Sequence, residues 1–395
     1  MDFQTQAAIV FVLILALVLY VNRSKLQVQK ILYPFVYVLM YRTKVGISLM
    51  DRAAKRFPRF MRYYGYAGVF IGFVGMGMIC YSLIENLVNI LIVPSAPSAV
   101  ALVLPFKVKG TFFVPFFYWI ICIFALVIVH EFSHGMISRL YDIKIKSSGL
   151  AFLGIILPVI PAAFVEPDEK KLAKRPRREQ LSVFAAGSFS NIVFAFIALA
   201  VMLLVMNPLA NSMMDSDGVL IGGLVEEGNV TMPAASAGVQ KGEVIIRVDS
   251  TGINTTEDLS LYLNSKSPGD TINLVTNRTE YSLVLSENPD NSSLAYMGIY
   301  LSQHAKVKPS FEQRFGALIP EVIMWITGLI FWLFVLNLGI GLFNLVPIPI
   351  TDGGRMIYLA LLHYFEENKA KRIWKSIALF FVLLIIINIG LGFIR

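Results

Sequence analysis

Long apolar runs alternate with polar segments along most of the chain. A helix that crosses a bilayer needs about 20 predominantly apolar residues. Runs of this kind predict membrane-spanning helices near residues 7–21, 66–93, 113–138, 181–206, 315–345 and 376–393. No basic residue precedes the first run, so we predict that it is an anchor and not a cleavable signal peptide.

The pattern changes between the fourth and fifth runs. Residues 208–302 are rich in Asn, Ser, Thr, Asp and Glu, with short β-branched runs at 218–225, 243–248 and 271–276. Runs of that length, separated by Gly, Pro and Asn, are typical of strands. The chain is therefore predicted to be a membrane all-α protein of about six transmembrane helices with an inserted soluble α+β domain. The predicted regions are 1–112, 113–207, 208–302 and 303–395.

Composition supports the membrane assignment. Of the 395 residues, 56% are hydrophobic and 15% are charged, whereas soluble globular domains carry about 25% charged residues. The two cysteines, Cys80 and Cys122, both lie inside apolar runs. Their positions give no support to a disulfide framework or to a cysteine-based metal site.

The net charge of +8 is unevenly distributed. Residues 22–65 hold ten Lys and Arg against the single acid Asp51, and basic clusters recur in 139–180 and 369–372. The positive-inside rule places such segments in the cytoplasm, so we expect the polar segment 208–302 and both termini on the opposite side. The basic excess needs no nucleic-acid partner, and the expected location is the plasma membrane.

The third apolar run ends in two histidines and a carboxylate. His130 and His134 are four residues apart and project from one face of a helix, where both imidazoles can bind one zinc ion. Glu131 is turned about 100° away and can act as a general base for the attacking water. The alternative is a pair of hydrogen-bonded histidines in a helix bundle, but ionisable groups at membrane depth are by default functional. His304 and His363 lie in polar or interfacial contexts, where a solvated role is expected.

A catalytic zinc ion takes a third protein ligand and keeps its fourth position open. The acidic candidates near membrane depth are Glu85, Glu166, Asp168, Glu321 and Asp352. Glu85 and Glu321 are expected toward the outer ends of their spans. An interfacial ion pair is an alternative explanation for Glu166 and Asp168, because a dense basic run follows them.

Asp352 lies in a segment where the fifth helix must break. Pro347 and Pro349 remove backbone donors and Gly353 and Gly354 loosen the chain. Broken backbone at membrane depth is tolerated where it is buried in protein or lines a wet cavity. We therefore predict Asp352 as the third metal ligand, with a helix-capping aspartate as the alternative.

These motifs together resemble the site-2 protease family of intramembrane zinc metalloproteases. The resemblance lies in residues 130–134 (HEFSH), 344–354 (NLVPIPITDGG) and 186–191 (AGSFSN). It implies zinc bound by His130, His134 and Asp352 with Glu131 as catalytic base. It also implies a contact of Asn191 with the substrate backbone or the reacting carbonyl, although an interhelical hydrogen bond is the alternative for that residue.

The chain departs from the family pattern at two positions of these motifs. Ser188 stands where the family often has Pro, and Thr351 stands where it often has Leu. Neither change removes a predicted metal ligand. A further segment, residues 162–169, resembles one that follows a membrane-dipping extended stretch, which is expected here at residues 150–163.

The inserted segment resembles a PDZ domain, on the turn-and-strand signature at residues 233–248. PDZ domains accept a peptide by strand addition, so peptide or protein docking, or gating of access, is expected here. The function implied by both resemblances is proteolysis within or near the transmembrane helices of membrane-anchored substrates. The alternatives are a metal-ion transporter and a non-catalytic membrane scaffold.

Overall fold

The computed structural model describes residues 3–32, 36–92, 100–155, 157–225, 232–289 and 291–394. Its helices are α1 (Phe3–Val21), α2 (Ile47–Arg56), α3 (Pro58–Ile92), α4 (Phe116–Leu140), α5 (Glu169–Ala173), α6 (Arg177–Val201), α7 (Asn207–Met213), α8 (Pro233–Ser236), α9 (Thr256–Asn264), α10 (Pro309–Phe315), α11 (Leu318–Phe343), α12 (Asp352–Tyr364) and α13 (Glu367–Ile394). Its strands are β1 (Leu26–Leu32), β2 (Val36–Thr43), β3 (Leu102–Leu104), β4 (Thr111–Phe113), β5 (Ile145–Ile155), β6 (Leu157–Pro167), β7 (Met214–Leu224), β8 (Val244–Val248), β9 (Thr251–Gly252), β10 (Thr271–Thr276), β11 (Glu280–Val284), β12 (Ser286–Asn288), β13 (Asn291–Tyr296) and β14 (Ile299–Val307).

Six helical segments of the described chain are long and apolar enough to cross a membrane: α1, α3, α4, α6 continued to Met213, α11 and α13. The predicted number of spans is confirmed, and the chain is an integral, multi-pass membrane protein. Helices α3 and α13 begin at Pro58 and Glu367, well before the apolar runs that predicted them. Their first turns carry basic residues, which lower the local hydropathy without interrupting the helix.

The chain divides into two compact units, and the larger one comprises Met1–Leu203 with Thr327–Arg395. In this membrane unit α6 packs against α3, α4 and α12. Close approach of α3 to α6 depends on glycine, because a Cβ at Gly65 would lie 3.1 Å from the Cβ of Ser182. Helix α6 therefore connects α3 and α4 with the helix that follows the break at Asp352.

An antiparallel sheet in the order β1-β2-β5-β6 belongs to the same unit. Strands β5 and β6 form a hairpin in which Leu150 pairs with Ala163, so the extended stretch expected there is present. Strand β6 packs against α4. Strands β1 and β2 lie within the segment 22–65, for which only a basic loop is predicted, because β2 pairs with β5 more than 100 residues away.

The predicted helix break separates α11 from α12. Between Phe343 and Asp352 the chain forms an irregular turn, which is closed by a hydrogen bond from Gly353 N–H to the carbonyl of Asn344 (2.9 Å). A Cβ at Gly353 would lie 2.0 Å from the Leu345 carbonyl oxygen, and one at Gly354 would lie 1.8 Å from that of Ile348. Only glycine fits at either position, and α12 begins immediately beside the break.

The second compact unit is Leu204–Ile326. Its main sheet has the order β11-β10-β8-β7-β14, with β9 beside β8. Helix α9 begins with a capping box between Thr255 and Asp258, and its Leu259 joins a core of strand residues that includes Ile221 and Ile245. The inserted α+β domain predicted from the sequence is therefore confirmed, with strands over all three predicted runs.

Candidate active site

The C-terminal half of α4 carries the two predicted histidine ligands. His130 and His134 are one helical turn apart, and their ring centroids are separated by 4.7 Å. Their Nε2 atoms lie 3.1 Å apart. The helical spacing therefore directs both Nε2 atoms to one point, as the sequence predicted.

The start of α12 brings Asp352 to the same point. Its Oδ2 lies 3.3 Å from His130 Nε2 and its Oδ1 lies 3.4 Å from His134 Nε2. The alternative of a capping aspartate is wrong, because Thr351 is the N-cap and its side chain accepts from the Gly354 N–H. Asp352 is consequently left with its carboxylate directed at the histidines.

This donor set fits a zinc ion. Zn–N and Zn–O bonds of about 2.0–2.1 Å in a tetrahedral site place neighbouring ligand atoms about 3.3 Å apart, and the observed separations are 3.1, 3.3 and 3.4 Å. The space beside the ligands is kept free by Gly187 on α6. A Cβ there would lie 2.3 Å from His134 Nε2 and 2.5 Å from His130 Nε2.

Three of the other acidic candidates have different partners. The Arg42 guanidinium and the Ser147 hydroxyl both donate to Glu166, so the expected ion pair forms, although with Arg42 and not with the basic run that follows. Asp168 is the N-cap of α5. Glu85 accepts from the Tyr81 hydroxyl at 3.2 Å. Among the described residues, Asp352 is the acid that groups with both histidines as a possible metal ligand.

Helix α6 contacts His130, His134 and Asp352. The Val183 carbonyl oxygen lies 2.7 Å from His134 Nδ1, the Ser188 hydroxyl donates to Asp352 Oδ2 over 3.0 Å, and the Asn191 amide lies 3.1 Å from His130 Nδ1. Ligand histidines generally have such a partner on the second ring nitrogen. The sequence does not predict the contact of Ser188 with Asp352, because no spacing rule connects residues that are 164 positions apart.

Asn191 contacts a proposed metal ligand, and the contact with the substrate that the family resemblance implies stays a prediction. Its side chain is completely buried, and its amide contacts the His130 ring on the side opposite the Asp352 carboxylate. In this position it can orient a ligand.

Glu131 lies in a cavity of about 420 Å³ that also contains His130, His134 and Asp352. Its Oε2 accepts from the Val165 N–H on β6 at 2.8 Å, which fixes the carboxylate and leaves Oε1 for a second partner. The cavity is further lined by residues 162–165 of β6 and by Asn344. Asn344 lies in the motif 344–354, and the sequence alone predicts no role for it in the site.

A larger cavity of about 960 Å³ shares lining residues with the first, among them Phe164 and Arg355. It has many polar and charged groups, including Gln27, Arg42, Glu166, Gln180 and Arg355. Water in this space has hydrogen-bond partners. The two adjoining cavities therefore form a polar region at the site within the membrane unit.

A family model described as Peptidase family M50 matches residues 118–385, more than half of the chain. An uncharacterised protein of Methanocaldococcus jannaschii is 28% identical over 263 residues, which are 65% of this chain and 61% of that protein. The zinc metalloprotease RasP of Oceanobacillus iheyensis is 22% identical over 286 residues, which are 58% of this chain and 63% of that protein. The chain thus spans less than two thirds of the length of these relatives.

Similar solved structures concern a smaller part of the chain. PDZ domains of SdrC-like proteins from Listeria monocytogenes and Listeria innocua are 22% and 24% identical to it. Each covers 22% of this chain, with 87% and 97% of the solved domain matched, and the TM-score is 0.19 for both.

Proposed function

The chain belongs to peptidase family M50, and from this premise we propose that it is a zinc-dependent intramembrane endopeptidase. Its substrates would be membrane-anchored proteins, cut within or near a transmembrane helix, as in regulated intramembrane proteolysis. The observation that carries the proposal is that His130, His134 and Asp352 bring ligand atoms within 3.1–3.4 Å of one another, in a cavity that they share with Glu131.

The proposed zinc ligands are His130, His134 and Asp352. A zinc ion held there supplies Lewis acidity, which polarises a peptide carbonyl. The Val183 carbonyl oxygen, 2.7 Å from His134 Nδ1, keeps the proton of that ring on Nδ1, so that Nε2 presents its lone pair to the metal.

Glu131 is the proposed general base. Its Oε2 is held by the Val165 N–H, so Oε1 takes the proton from the attacking water and later delivers it to the leaving amine nitrogen. The products are a carboxylate and an amine, and the carboxylate of Glu131 is regenerated. The backbone bond to β6 supports this role by limiting rotation of the side chain.

The substrate must expose a backbone amide at this site. The amides of a transmembrane helix are hydrogen-bonded within the helix, so local unwinding must precede attack. We place the site toward the cytoplasmic side of the plasma membrane and the inserted domain outside, on the charge distribution of residues 22–65. Docking of a peptide or protein to the inserted PDZ-like domain belongs to the same proposal.

The alternative functions predict different behaviour of Glu131. In a metal-ion transporter this carboxylate would carry or bind the ion or a proton, so its loss would weaken binding or abolish transport. In a non-catalytic scaffold its loss would have no catalytic consequence. Loss of cleavage with zinc retained is the outcome that only a protease gives.

The test compares wild type with Glu131→Gln for cleavage of single-span substrates by the detergent-purified protein at equal zinc content. We expect cleavage by wild type and a loss of at least 100-fold in the variant, since a general base contributes roughly 10²–10⁴-fold, with zinc content unchanged. The matched control is Glu85→Gln, which alters a membrane-helix glutamate that contacts Tyr81 and should leave cleavage intact. Zinc movement into liposomes without cleavage of any tested span would contradict the proposal.

A further inference from the structure

One helix supplies a polar partner to each of the three proposed zinc ligands. Helix α6 contributes the Val183 carbonyl to His134, the Ser188 hydroxyl to Asp352 and the Asn191 amide to His130. Backbone carbonyls occur on every helix, whereas the other two partners are side chains that this sequence specifies. Both side chains are completely buried.

We propose that Ser188 and Asn191 are positioning residues of the metal site, with Ser188 fixing the carboxylate of Asp352 and Asn191 fixing the ring of His130. The inference rests on the metal site of the proposed function, not on the reaction. It assigns the affinity for zinc partly to residues that never touch the metal.

The bonding of Ser188 differs from that of its neighbours on α6. Buried serines in helices usually donate to a carbonyl of the preceding turn, as Ser182 does to Arg178 and Ser190 does to Gly187. Ser188 donates instead across the helix interface to Asp352 Oδ2. A hydrogen bond to a carboxylate is about twice as strong as a neutral one, so it holds the Asp352 rotamer that faces the histidines.

The Asn191 amide indicates the tautomer of His130. In the arrangement described, Nδ2 lies 3.1 Å from His130 Nδ1, while Oδ1 is buried without a hydrogen-bond partner among the described residues. Rotating the amide by 180° brings Oδ1 to His130 Nδ1, where it accepts from Nδ1–H. That tautomer leaves Nε2 with the lone pair that zinc requires.

The Ser188 arm of the test measures the zinc dissociation constant of the full-length, detergent-purified protein by chelator competition without substrate. Loss of an outer partner of a metal ligand weakens metal binding by roughly 10- to 100-fold, and we expect a change of this size for Ser188→Ala. The control is Ser182→Ala, which removes an equally buried hydroxyl on the same helix that donates to the Arg178 carbonyl. It should bind zinc as wild type does.

The Asn191 arm uses two variants of similar size. Asn191→Asp offers an oxygen to His130 Nδ1–H and should keep the affinity for zinc within a few-fold of wild type. Asn191→Leu offers no acceptor and should weaken it roughly 10- to 100-fold. A general packing role for this position would make Asp, the more polar replacement, the worse of the two.

The outcomes separate this inference from the proposed function. If Ser188→Ala binds zinc as tightly as wild type, or if Ser182→Ala loses as much zinc affinity as Ser188→Ala, the proposed role of Ser188 is overturned. An Asn191→Asp variant as weak as Asn191→Leu would overturn that of Asn191. Failure of wild type to cleave would count against the protease and leave the zinc measurements standing, whereas failure of wild type to bind zinc would overturn both.

Discussion

At the residue scale, Gly187 sets the tightest limit on the site. A methyl group there would lie 2.3 Å and 2.5 Å from the Nε2 atoms of the two histidines, inside any van der Waals contact. Overpacking of a rigid interior costs about 1–3 kcal/mol, so Gly187→Ala should weaken zinc binding by roughly 5- to 150-fold. Chelator competition on the purified protein measures the change.

Gly77 provides the control for this substitution. It also lies in a membrane helix, α3, and a Cβ there would meet nothing within 4 Å. Gly77→Ala should therefore leave zinc affinity unchanged. Equal affinities of the Gly187→Ala and wild-type proteins would show that the ligands do not need the space that glycine leaves.

The predictability of individual residues depended on their separation along the chain. His130, Glu131 and His134 were identified because helical geometry fixes the relation of residues four apart. Asp352 required a physical argument about broken backbone in a membrane. The contact of Ser188 with Asp352 could not be predicted from the sequence, because it depends on how α6 and α12 pack.

At the scale of elements, the turn between α11 and α12 places the third ligand. The Thr351 hydroxyl accepts from the Gly354 N–H at 3.2 Å. The carbonyls of Val346 and Ile348 lie 2.5 Å and 2.9 Å from the hydroxyl oxygen, within hydrogen-bonding distance as acceptors of its proton. Removing a threonine N-cap costs about 1 kcal/mol. Thr351→Ala should therefore lower the thermal unfolding midpoint and weaken zinc binding, as followed by a thermal melt and chelator competition.

Thr351→Ser is the matched variant, since it keeps the hydroxyl and removes one methyl group. It should retain most of the stability and zinc affinity of wild type. If Thr351→Ser and Thr351→Ala lower the unfolding midpoint and the zinc affinity equally, the methyl group is responsible and the hydroxyl cap does not stabilise the turn.

The elements themselves were predictable where the signal was local. A membrane helix is recognised by about 20 consecutive apolar residues. The strands of the inserted domain are recognised by short β-branched runs between turn residues. The sheet of the membrane unit was missed because its pairing is distant. Thr43 of β2 pairs with Ser148 of β5, and no local pattern specifies that register.

At the scale of the whole molecule, the charge distribution predicts opposite exposure of two segments. Lys44 belongs to the segment 22–65, which has ten basic residues against one acid, and Lys241 belongs to the inserted domain. Basic segments next to membrane spans are retained in the cytoplasm. In a background without Cys80 and Cys122, Lys44→Cys should react with an impermeant maleimide only from the cytoplasmic face, and Lys241→Cys only from the other.

The experiment compares right-side-out with inside-out vesicles and uses detergent-solubilised protein as the control. Both lysines are exposed, so both cysteines should react fully in detergent, which separates sidedness from burial. The orientation bears on function because the proposed site is assigned to the side of the basic segments. Labelling of both cysteines from one face would refute the predicted topology.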